Sequence, residues 1–150
     1  MDAAIFSALH LLALGLGLPG VFLRGRALAR PLDQAGLRRL FAADTVWGIS
    51  ALLWIGTGLM RAFGGLEKGS QFYLASPLFW VKMGLLGAIL LLEVWPMITF
   101  IRWRISHSRG AALDTTRSRY LFLINQLQLS LVVVMVFLAS FMSRGIGPSS

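Results

Sequence analysis

Four apolar runs, at residues 3–23, 45–63, 78–101 and 120–142, are each long enough to cross a hydrocarbon core, which takes about twenty residues of helix. In lipid no water is available to backbone N–H and C=O groups, so such runs have to be helical. The fold class is therefore all-α: an integral membrane four-helix bundle forming a single domain over residues 1–150. Only 13% of the chain is charged and 57% is hydrophobic, whereas soluble domains are about a quarter charged. Little sequence is left over for a soluble domain.

Charge sets the expected orientation. The first run opens on Met1-Asp2 without a basic segment, and its arginines follow it, so it reads as a retained helix rather than a signal peptide. Arg24, Arg26, Arg30, Arg38 and Arg39 lie between the first two runs, and Arg102, Arg104, Arg109, Arg117 and Arg119 between the last two. The positive-inside rule then puts both loops in the cytoplasm and both termini outside, in the periplasm for a bacterial inner membrane. The net charge of +8 reports topology and a bilayer partner, not nucleic acid. Cysteine is absent, which excludes disulfides, thiolate metal ligands and thiol catalysis.

Short links favour antiparallel neighbours in an up-down bundle. Pro31-Leu-Asp-Gln before Leu37-Arg-Arg-Leu-Phe predicts a separate interfacial helix on the inner leaflet. The link beginning Gly64-Gly-Leu-Glu-Lys-Gly-Ser reads as an outer loop, and Gly147-Pro-Ser-Ser as a frayed tail. Ala13 with Gly17, and Gly84 with Ala88, are spaced for close helix packing. Pro96 is expected to bend the third span just after Glu93.

Polar side chains inside the runs carry the functional information, because ionisable groups in hydrocarbon are rare and face a bundle interior, a cavity or a ligand. His10 and Lys82 lie one to two turns into spans that start on the same side, and Arg61 near the outer end of the second span joins them at that depth. Glu93 follows Lys82 on nearly the same face, about 16 Å deeper. Asn125, Gln126 and Gln128 from the fourth span reach a comparable depth, and Asp44 stands at the inner edge of the second. Lys82 thus has no carboxylate within a span at its own depth. It snorkels outward, loses its proton, pairs with Glu67 or Asp2, or meets an anionic ligand. His10 is either an interhelical hydrogen-bond donor or a metal ligand. Imidazole is the usual protein ligand of haem iron, and the two propionates of haem b suit Lys82 and Arg61. His107, among loop arginines, reads as solvated. Met83, Met97 and Met135 are packing residues or a soft axial ligand, and Trp47 and Trp54 mark one face of the second span. No phosphate loop, nucleophile with a base, or paired carboxylates point to a hydrolase.

Ala43-Asp-Thr-Val-Trp-Gly, Trp54-Ile-Gly-Thr-Gly-Leu-Met-Arg, Pro77-Leu-Phe-Trp-Val-Lys-Met-Gly-Leu-Leu and Glu93-Val-Trp-Pro-Met resemble a bacterial family of small inner-membrane proteins classed as a domain of unknown function. More distantly, Leu9-His10 and Trp80-Val-Lys82 resemble the pattern of HemJ-type protoporphyrinogen oxidases and, more loosely, of CopD-type membrane proteins. The HemJ likeness implies a four-helix membrane protein holding haem b through the first-span histidine and acting on a porphyrinogen as an oxidoreductase. Other histidines of that family, one in the third span among them, have no counterpart here.

The leading expectation is a haem-b-binding membrane protein. His10 is the iron ligand, Lys82 and Arg61 hold propionates, and Glu93, Gln128, Asn125 and Asp44 form an inner site for protons or quinone. Two alternatives come from other classes. One is a non-enzymatic accessory subunit of a larger membrane complex, or a homo-oligomer; the other is a CopD-like metal or small-solute permease.

Overall fold

A computed structural model describes residues 1–65 and 70–145. Residues 66–69 of the outer link, Glu67 among them, and the Gly147 tail lie outside them, and the later part of that link, expected as loop, is helical over Ser70–Ala75. Among the described residues there are four long helices and one short one: α1 (Asp2–Leu28), α2 (Gln34–Phe63), α3 (Ser70–Ala75), α4 (Pro77–Ser108) and α5 (Ser118–Ser143). The four long helices are each long and apolar enough to cross a membrane, and each expected run lies inside one of them.

Helix ends follow local chemistry. The Asp33 carboxylate accepts from the Gly36 amide at 2.7 Å and so caps α2. Beyond that cap Ala42 and Ala43 favour helix and no breaker intervenes. The segment expected to lie separately on the leaflet is therefore the opening of α2 itself. Pro77 sits at the start of α4, where its missing N–H costs nothing. Gly110, at φ 70° just beyond the α4 cap, turns the chain away from the axis. Pro96 is buried inside α4, which continues through it without interruption.

Packing runs α2 on α1, α1 on α5 and α5 on α4, with α3 resting on α4 and α2. The α1 and α2 contact is the most extensive and rests on small residues. A methyl group on Gly17 would meet Ser50 Cβ at 3.2 Å, and one on Gly20 would meet the Trp47 amide nitrogen at 3.0 Å. Ala13 and Gly17 thus serve the packing their spacing predicts. Gly84 does not: it is exposed on α4, and a methyl group there would meet nothing within 4 Å.

Among the described residues the core has three apolar parts. Trp47, Trp54, Ile89, Val132 and Met135 fill the middle. Leu40, Phe100, Trp103 and Leu121 fill the end carrying the arginine loops. Ala62, Phe79 and Met142 close the end carrying the termini.

Candidate functional site

At the terminal end all four long helices surround a cavity of about 410 Å³, within the size range of small-molecule sites. His10 comes from α1, Arg61 from α2 and Lys82 from α4, and all three line it. Apolar side chains such as Leu14, Leu86, Met83 and Met135 supply most of the wall, and none of the described lining residues is acidic. Lys82 makes no hydrogen bond or ion pair among the described residues. Asp2 is exposed and offers it no ion pair, and Glu67 lies outside the described residues.

His10 is 8% exposed and fixed on two sides. Its Nδ1 lies 2.9 Å from the Thr57 hydroxyl oxygen, and its ring stacks on Trp54 at 5.7 Å between centroids with 26° between planes. The Thr57 hydroxyl donates its own hydrogen to the Leu53 carbonyl at 2.6 Å, so its oxygen accepts from His10 Nδ1–H. A ring protonated at Nδ1 alone carries its lone pair on Nε2, and a hydrogen bond from the other ring nitrogen is what orients a ligating histidine. Gly58 lets the ring approach α2: a methyl group there would stand 3.1 Å from His10 Cε1. Among the described residues no group of three His, Cys, Asp or Glu side chains forms a metal cage, and the thioethers of Met83 and Met135 line the cavity with His10.

Toward the other end the polar residues Asp44, Glu93, Asn125 and Gln128 also come together, around a residue expected in a loop. Arg24 lies within α1 and is fully buried. Its Nε donates to Asn125 Oδ1 at 2.7 Å, Nη1 to Asp44 at 3.0 Å and Glu93 at 2.7 Å, and Nη2 to Glu93 at 3.0 Å and Gln128 at 2.7 Å. All five N–H donors of the guanidinium are used. Trp47 and Phe100 cover it at 5.7 and 5.6 Å. Glu93 accepts further from Gln128 Nε2 at 2.6 Å and Trp47 Nε1 at 3.3 Å. Asp44 is shared with Arg104 at 2.9 Å, so two guanidiniums balance two carboxylates.

The remaining polar candidates stay apart from both groups. Gln126 is exposed, Met97 faces outward at 48%, and His107 packs edge-on against Phe41 at 6.0 Å. The signal for Arg24 was present in the spacing: Ala13, Gly17, Gly20 and Arg24 fall on one helical stripe, and the small residues on it are buried.

No curated protein and no solved structure matches the chain. Residues 2–147 match the family described as a predicted membrane protein, DUF2214, and the chain belongs to that family.

Proposed function

We propose that this protein binds haem b in the terminal-end cavity, with His10 as iron ligand and Lys82 and Arg61 holding the propionates. The observation that carries this reading is that an imidazole held by Thr57 and Trp54 and two cations line one apolar cavity whose described walls hold no acid. Haem b, when bound, supplies a one-electron redox centre. The chain's own residues orient and exclude: Thr57 and Trp54 hold the imidazole, the cations attract carboxylates, and Leu14, Leu86 and Met135 keep water out. The two-motif likeness to HemJ-type oxidases supports the same reading, with porphyrinogen oxidation or electron transfer to quinone as its activities. In it the arginine loops face the cytoplasm of a bacterium and the cavity lies toward the periplasmic side. The inner carboxylates, engaged by Arg24, Trp47 and Gln128, join all four long helices.

Purification in mild detergent from haem-replete cells, followed by reduced-minus-oxidised spectra, tests the assignment. A Soret band and an α-band are expected, and both disappear in His10→Ala. A preparation without them, or one whose bands survive that substitution unchanged, overturns it. Thr57→Val removes the hydroxyl that sets the ring, together with its bond to the Leu53 carbonyl, and it should weaken haem retention by about 10–100-fold in titrations of apoprotein. Retention equal to the parent would remove Thr57 from the site.

A second reading, a subunit of a larger complex, is favoured by one observation: α4 is the least covered of the four long helices. A stable co-purifying membrane protein in a preparation free of haem would support it.

A further inference from the structure

Charge at the arginine-loop end is not neutralised by the protein. Arg26, Arg30, Arg38 and Arg39 around the first loop are exposed, and so are Arg102, Arg109, Arg117 and Arg119 around the other. Among the described residues none of them makes an ion pair. The acids of this end are already engaged. Asp33 caps α2, and Asp44 is divided between Arg24 and Arg104. Asp114 accepts from the Thr116 hydroxyl at 2.7 Å and from its amide at 3.1 Å. Those bonds, with a smaller contribution from Arg117, hold its carboxyl below the ordinary range.

The surface beside these guanidiniums is apolar. Ile101, Ile105 and Tyr120 flank Arg102 and Arg119, and Phe22 and Leu23 precede Arg26, all about half exposed. Arg102 lies six residues before the end of α4, about 9 Å back along the axis. Cations therefore stand on the helix walls as well as in the loops, at the level where lipid-facing side chains give way to polar ones. A free phosphate answers only the guanidiniums. A phospholipid answers both, placing a phosphate on arginine and acyl chains on the neighbouring wall.

We propose that this rim is a docking surface for anionic phospholipid headgroups, gathered from the adjoining leaflet by the two arginine sets. The full-length protein, extracted in mild detergent, is analysed for retained lipid by mass spectrometry. Its thermal midpoint is then followed as phosphatidylglycerol, phosphatidylcholine or inorganic phosphate is added. Anionic lipid is expected to be enriched by about fivefold or more over its share of the source membrane, and phosphatidylglycerol alone is expected to raise the midpoint. A double substitution, Arg102→Gln with Arg119→Gln, lowers the enrichment, while the corresponding lysine pair retains it, because neither side chain belongs to the core. Retained lipid with the composition of the source membrane overturns the proposal. So does inorganic phosphate stabilising the protein as well as phosphatidylglycerol does. Both arms use the unsubstituted chain, so the test stands even if the glutamine pair inserts poorly.

Discussion

Arg24→Met should lower the stability of the detergent-solubilised protein by about 3–5 kcal/mol, the cost of removing one partner from a buried ion pair. The substitution leaves Glu93 Oε1, Asp44 Oδ1, Asn125 Oδ1 and Gln128 Oε1 without the donors they now have. It also leaves one negative charge unbalanced on carboxylates that are only about a fifth exposed. Surface charge removals rarely exceed about 1 kcal/mol, so the position of Arg24 is what makes the effect large. Denaturant-induced unfolding followed by tryptophan fluorescence measures it, since Trp47 lies against the guanidinium. Adding Glu93→Leu to Arg24→Met should recover part of the loss, because an apolar replacement of both partners removes the stranded charge. A single variant within about 1 kcal/mol of the parent would show that lipid or water reaches these groups and satisfies them.

The second large effect belongs to Gly20. A side chain there starts 3.0 Å from the Trp47 amide nitrogen, 3.3 Å from its Cα and 3.1 Å from Val46 Cγ1. Two of those atoms are backbone, so relief requires α1 to move off α2 as a body. Gly20→Leu is expected to cost about 3 kcal/mol, the upper end of overpacking penalties, despite the gain in helix propensity on losing a glycine. Gly15→Leu is the matched control. Gly15 lies in the same helix with nothing within 4 Å of an added methyl, and its replacement should change stability by no more than about 0.5 kcal/mol. Equal unfolding midpoints for the two variants would remove close backbone approach as the basis of the α1 and α2 contact.

Much of the architecture was legible because the bilayer permits few alternatives: four long apolar runs leave helices as the only economical solution. Depth alone grouped His10, Arg61 and Lys82, since rise per residue is fixed, and the helices do bring them to one cavity. Depth also gathered Glu93, Asn125, Gln128 and Asp44. What hydropathy hid was their common partner. Arg24 ends an apolar count, so the first run stopped at Leu23, although the helix continues to Leu28. Helical phase retains what a hydropathy window discards, and the stripe of Ala13, Gly17 and Gly20 leads to Arg24. Packing order was readable in part. Short links suggested that sequence neighbours pack, as α2 does on α1 and α5 on α4, and α1 on α5 joins the two pairs. The approach of α4 to α1 and α2 rests on Glu93 and Arg104, side chains whose partners only the fold reveals.

The guanidinium of Arg24 joins groups made at very different times. A ribosome finishes Asp44 20 residues after Arg24, Glu93 69 residues after it, and Asn125 101 residues after it. During synthesis the hairpin of α1 and α2 therefore reaches the bilayer with its buried cation facing a single carboxylate. Its remaining donors stay unclaimed until the second half of the chain arrives. A chain truncated before Glu93 leaves the Arg24 guanidinium only Asp44 among these partners, and such a chain is expected to be a substrate for membrane quality control.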